Sequence, residues 1–247
     1  MQGVANDERR MTIVEHLSEL RRVLSISMGA WLAGTIVAFV FHDFVLGLLL
    51  RPLKVILNNA HGIVHSAIFL SPTEGLTVPI KIAAIVGLIL ALPIIAWQVW
   101  SFVSPGLRPV ERKFAGPFAL SALVLFGAGA TFAYFVMPIG LNFLATFLGN
   151  NAVYFPDINQ YLDFFLLLVL IFGVTFELPV VIILLGMLRI VSSKWLRARR
   201  RVIWIVIILA ALIVTPGADP FTPTALLIPL ILLFEASILI LSRVLHR

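Results

Sequence analysis

QYLDFFLLLVLIFGVTFELPVVIILLGM, residues 160–187, decides what kind of protein this is. The stretch holds two carboxylates, Asp163 and Glu177, and no basic side chain. As a helix rising 1.5 Å per residue it reaches about 42 Å, more than the roughly 30 Å hydrocarbon core of a bilayer. The rest of the chain has the same character. Of 247 residues, 61% are hydrophobic and 12% charged, and the mean hydropathy is +1.08. Soluble domains are about half apolar and a quarter charged, so this chain lacks the polar surface to be one. It is an integral membrane protein.

Six hydrophobic segments follow from the same criterion, at roughly 24–41, 79–101, 115–137, 160–187, 202–215 and 224–241. Lipid offers no partner to backbone amides, so each segment is expected to be an α-helix. The first is not a cleaved signal peptide, because Phe41-His42-Asp43-Phe44 rather than a small-residue site follows it. The expected fold is an all-α, single polytopic membrane domain covering 1–247.

Placing the 18 Lys and Arg residues puts 15 on one side of the membrane and three, Arg51, Lys54 and Lys81, on the other. The positive-inside rule then makes both termini cytoplasmic, and six spans return the chain to its starting side. The net charge of +6 is accordingly a topology signal and not a nucleic-acid footprint. The outer-surface loop 42–78 carries an apolar stretch, Phe44 to Leu50, expected to form a short helix or two.

Two spans look too short. Val202–Thr215 rises only about 21 Å and Thr224–Leu241 about 27 Å, which calls for local thinning of the bilayer. Pro93 and Pro229 are expected to bend spans two and six around a groove, giving a cup. Trp97 and Trp100, at the inner end of span two, read as interface anchors.

Glu177 is the strongest polar signal within a span. A charged group in hydrocarbon faces protein or a wet cavity, and such residues are functional by default. Pro179 cannot donate to the Thr175 carbonyl, so Glu177, Thr175 and that carbonyl are expected to form a polar notch. Glu235, in LLFEASILILSR, is a second, weaker case. Enzyme chemistry has little to work with. There is no Cys, and none of the five histidines lies inside a span. His61 and His65 are separated by one turn, but Gly62 and the lack of a third ligand make a metal site weak. No cofactor or metal is expected, and no GxxxxGK[ST] loop is present to bind ATP.

The segment 12–23 is amphipathic. Ile13, Leu17, Leu20 and Leu24 mark one face for the membrane or neighbouring spans. Glu15 and Glu19 lie elsewhere. Their bland role is pairing within the helix, Glu19 with Arg22. Their functional role is to capture a cationic ligand, for which a guanidinium fork is well shaped. Glu111, between spans two and three, is the other acid on this basic face.

HLSELRR, LSPTE, ALPIIAWQVWSFVSPGL, the ERK of the second loop, FAYF, FELP and VTPGAD…IPL…LFE occur in this order from about residue 12 to 243. Together they resemble the TatC family, the multispanning receptor of the twin-arginine protein translocase. The resemblance implies a bacterial inner-membrane protein that is not an enzyme. It implies binding of twin-arginine signal peptides on folded cargo at the cytoplasmic face, with transport driven by the proton-motive force. The implied partners are TatA- and TatB-type single-span subunits, further copies of the chain and the lipid bilayer. Carried over by position, Glu19 and Glu111 receive the two arginines, and Phe102, Leu17 and Arg21 shape the surface. Tyr134 in FAYF and Pro52 in the outer loop match functional positions. Glu177 faces the concave side, while Thr215 and Asp219 match the partner-docking region. Two departures stand out: PFTP places Pro220 and Pro223 where relatives often carry a glutamine, and Val23 stands where some carry a base. A bacterial membrane is expected over a thylakoid, since no transit peptide precedes residue 12. The rival class is a proton-coupled small-solute transporter titrating Glu177, although the internal repeats usual in transporters are not found.

Overall fold

The computed structural model describes residues 13–54, 68, 70–107, 114–147, 157–215 and 220–244. Among these residues the regular structure is helical. The helices are α1 (Ile13–Val40), α2 (His42–Leu49), α3 (Glu74–Val103), α4 (Ala115–Phe147), α5 (Ile158–Phe176), α6 (Leu178–Met187), α7 (Ser193–Ala198), α8 (Arg200–Val214) and α9 (Phe221–Val244). Five stretches are long and apolar enough to cross a membrane: Val14–Val40, Glu74–Gly106, Ala115–Leu144, Ile158–Met187 and Phe221–Arg243.

These helices outrun the hydrophobic segments read from the sequence. Backbone hydrogen bonding continues into the interface, where hydropathy has already fallen. The amphipathic segment 12–23 is therefore not a separate element; its described part is the first turns of α1. The last span also needs correction. Helix α9 has 24 residues, about 36 Å, and is not short. Pro223 suggested a boundary, but it sits in the first helical turn, where backbone N–H groups have no intrahelical acceptor in any case. Helix α8, with 15 residues and about 22 Å, remains short.

Residues 158–187 supply the centre of the molecule. Within its most apolar window Ile158–Met187 is 56% buried, against 11% for Val14–Val40. Phe165, Phe172 and Leu162 are almost fully enclosed, and Phe126, Met137, Leu226, Phe234 and Ile238 are equally buried on the neighbouring helices. Asp157 starts α5 by accepting hydrogen bonds from the Asn159 and Gln160 amides at 3.1 and 3.4 Å, an N-cap that satisfies two orphan donors. Helix α6 ends in a full Schellman motif. Ile190 N–H donates to Leu185 O at 2.9 Å and Arg189 N–H to Gly186 O at 3.1 Å, with Arg189 at φ 63° where glycine is usual.

Helix α1 holds on chiefly through α3. The two run antiparallel, with Gly34 against Gly87 and the Trp31 indole donating to Ala84 O at 2.8 Å. Glycine on both sides lets the backbones approach closely, the usual device for helix pairs in lipid. Trp100 does not serve as an interface anchor. It is 4% exposed and packs on Phe118 in a small cluster with Leu107 and Met187. Trp97, one turn earlier on α3, is 53% exposed.

Candidate functional site

The antiparallel register of α1 and α3 brings the start of α1 to the end of α3. There the His16 imidazole stacks on the Phe102 ring, with centroids 4.3 Å apart and planes 18° from parallel. Glu19 lies one helical turn further along α1, on the same face as His16. Its carboxylate is half-buried, and Oε2 is enclosed with no hydrogen-bond partner among the described residues. Burying a carboxylate oxygen without a donor costs free energy, so such a group is poised for a cation. Pairing of Glu19 with Arg22 is not among the ion pairs formed by the described residues.

Leu17 and Arg21 lie on the outward stripe of the same turns. Leu17 is 59% exposed and Arg21 is exposed as well. Leu17 and Leu24 face away from the bundle, and Val23 is the residue that packs inward, at 8% exposure. A hydrophobic residue at position 23, where a base was one alternative, thus has a packing role. Glu111 lies outside the described residues. The chain on its N-terminal side is held firmly: the turn Ser104–Gly106 caps α3, Leu107 is buried, and Leu188 of the α6 end lies beside Gly106.

Glu177 occupies the junction between α5 and α6. Its amide donates to Val174 O at 3.1 Å, and its carbonyl accepts from Val181 at 3.0 Å, so the chain turns without losing its ladder. Pro179 falls in the first turn of α6, where its missing N–H costs nothing. Glu177 Oε1 is enclosed and has no partner among the described residues. The expected notch is smaller than foreseen. Thr175 turns its hydroxyl back onto the Ile171 carbonyl at 2.7 Å and the Phe172 carbonyl at 3.1 Å, leaving Glu177 without a threonine neighbour in the notch.

Tyr134 and Pro52 gather at the far end of the bundle from Glu19. The Tyr134 hydroxyl donates to Leu48 O at 3.2 Å, and the Tyr161 hydroxyl to Leu49 O at 2.6 Å. These carbonyls belong to the last turn of α2, where the helical ladder ends. Pro52 is buried in the helical turn 51–54 that follows. At the same end Lys81 donates to both Asp163 oxygens at 2.6 and 2.9 Å and to Asn159 Oδ1 at 2.8 Å, tying α3 to α5. Thr215 is buried at the end of α8, its hydroxyl bonded to Ala211 O at 2.8 Å. Asp219 lies outside the described residues, as do His61 and His65.

Sequence reasoning missed two features. One is His16, whose part emerges only from its stack on Phe102. The other is the partner of Glu235, Arg200, which donates from Nη2 at 2.7 Å. Arg200 reads in sequence as one of a run of bases, and the separation of 35 positions hides the contact.

The chain resembles known proteins along nearly its whole length. Residues 15–229 match the family model described as Sec-independent protein translocase protein (TatC). The TatC protein of Carboxydothermus hydrogenoformans is 39% identical over 235 residues, covering 95% of this chain and 94% of the relative. The TatC of Aquifex aeolicus is 37% identical, covering 92% of this chain and 93% of the relative. A crystal structure of the twin-arginine translocase receptor TatC superposes with a TM-score of 0.76 at 36% identity, spanning 94% of this chain and all of the other.

Proposed function

The chain belongs to the TatC family of Sec-independent protein translocase proteins, and we propose that it receives twin-arginine signal peptides on a surface built around Glu19. It is a receptor subunit of the twin-arginine translocase, a membrane transport component rather than an enzyme. The rival reading, a solute transporter titrating Glu177, is set aside by the family match.

The observation that carries the site is the Glu19 carboxylate. One oxygen is enclosed and unpartnered, one turn from a stacked His16–Phe102 pair. A guanidinium supplies the missing donors and has a flat face that packs on aromatic rings. Glu111, four residues after the buried Leu107, provides the second carboxylate. Leu17 and Arg21 border the surface toward the lipid and the cytosol. The positive-inside rule sets the orientation: six spans, both termini in the cytoplasm, Glu19 and Glu111 on the inner face. Helix α8 is the fifth span, and the helices form a cup with Glu177 on its concave side.

The signal peptide's apolar stretch then follows the helices from Glu19 toward Glu177. The single-span TatA- and TatB-type partners dock at Thr215, which caps α8, and at Asp219, and other copies of the chain complete the assembly. Energy comes from the proton-motive force through those partners. Tyr134, Pro52 and Tyr161 hold the outer segment in place and support the bundle rather than touch the peptide. The setting is the cytoplasmic membrane of a bacterium.

Photo-crosslinking from positions 19 and 111 tests this reading. A twin-arginine peptide is expected to crosslink and a twin-lysine control to crosslink weakly. Glu111→Lys is expected to abolish the signal at normal protein levels; undiminished crosslinking in that variant defeats the assignment.

A further inference from the structure

We propose that the junction of α7, α8 and α9 is a binding site for one anionic phospholipid headgroup, held through its phosphodiester by Arg197 and Arg200. A cavity of about 410 Å³ opens there, lined by Arg197, Arg200, Glu235, Ile238 and Leu239. Water occupies about 30 Å³ per molecule, so the space suits a phosphate with its glycerol. The lining is amphipathic: two guanidinium groups, one carboxylate and two aliphatic side chains. The two cations and one anion leave a single positive charge, which one phosphodiester neutralises.

The protein uses little of the guanidinium capacity. Arg200 gives Nη2 to Glu235 at 2.7 Å, and Arg197 gives Nη2 to Ser242 at 3.3 Å. A guanidinium has five donors in a fork that fits phosphate. Both side chains are accessible, Arg200 at 42% of its side-chain surface and Arg197 as an exposed residue. Glu235 acts as a positioning residue that fixes one face of Arg200 and leaves the other to the cavity. Leu239 is 49% exposed beside it and offers a surface for acyl carbons.

The depth of the site gives it a consequence. Glu235 precedes Arg243 by eight residues, about 12 Å along α9. A headgroup drawn to Arg200 therefore sits well below the level of the α9 end, where the short α8 begins. This pulls the leaflet inward around a span of about 22 Å, the local thinning that such a helix requires.

Native mass spectrometry of the delipidated full chain in detergent tests the site, with phosphatidylglycerol, phosphatidylcholine of the same acyl chains, and free glycerol 3-phosphate as probes. One phosphatidylglycerol is expected to bind about tenfold more tightly than phosphatidylcholine, whose phosphodiester is the same but whose choline cation cancels the charge and is repelled by the two guanidinium groups. Arg197→Gln, which leaves the Arg200–Glu235 pair intact, is expected to remove that preference. Arg200→Gln combined with Glu235→Gln keeps the helix contact neutral and is expected to do the same. Equal retention of the two lipids overturns the proposal, as does a preference that survives both variants. Displacement by glycerol 3-phosphate at matched concentration overturns the lipid assignment in favour of a free phosphate ester. Loss of a bound single-span subunit in Arg197→Gln without any lipid effect assigns the surface to a protein and likewise overturns it.

Discussion

The crossing of α1 and α3 makes a sharp test, because the same substitution has opposite expected effects at two sites on one helix. A Cβ added at Gly34 would lie 2.5 Å from Gly87 O, with the Gly87 carbonyl carbon at 3.2 Å. Comfortable contacts begin near 3.5 Å, so the helices must separate by about 1 Å. The obstacle is backbone, not the end of a flexible side chain. A gap of that size forfeits a quarter to a half of each contact's attraction along the crossing, and overpacking typically costs about 1–3 kcal/mol. Replacing glycine by alanine within a helix returns up to about 1 kcal/mol. Gly34→Ala is therefore expected to destabilise by about 1–2 kcal/mol. At Gly29 the added methyl meets nothing within 4 Å, so Gly29→Ala is expected to be neutral or to stabilise by up to about 1 kcal/mol. Equilibrium unfolding in mixed detergent micelles reads the difference. Twin-arginine peptide binding supplies a second measure, since α1 carries Glu19 and loses its register with Phe102 when the crossing opens. Equal stability of the two variants would refute the close-packed crossing.

Other perturbations have separate expected outcomes. Tyr161→Phe leaves the Leu49 carbonyl without its 2.6 Å donor in a buried site, and is expected to cost about 1–3 kcal/mol of unfolding free energy; Tyr134→Phe removes a longer, more exposed bond and is expected to cost less. A double-mutant cycle on Lys81 and Asp163, side chains 39% and 50% exposed, is expected to give a coupling of about 0.2–1 kcal/mol that shrinks in high salt. Arg189→Gly relieves a left-handed backbone position and is expected to raise stability by about 1 kcal/mol, seen as a shift of the same unfolding curve. Glu19→Gln keeps size and removes charge, and is expected to weaken twin-arginine peptide binding about tenfold in a direct titration while leaving unfolding unchanged.

The sequence by itself determined the medium, the element type and the chemistry. An excess of apolar residues over any possible soluble surface requires lipid, and lipid requires helices, so five of the expected spans could be read from composition and length alone. The acids were also legible, because Glu177 and Glu235 are costly where they stand and so conspicuous. What hydropathy cannot report is where a helix stops. Hydrogen bonding outlasts the apolar run, as in α1 and α9, and a first-turn proline such as Pro223 looks like a terminator until its missing donor is seen to be superfluous. Only the tertiary structure decided which residues meet. His16 reaches Phe102, Arg200 reaches Glu235 and Tyr161 reaches the end of α2 across 86, 35 and 112 residues of chain. Those contacts are set by how closely glycines let two backbones approach and by which face of each helix is turned inward. Both are properties of pairs of helices, and neither is written in one helix alone.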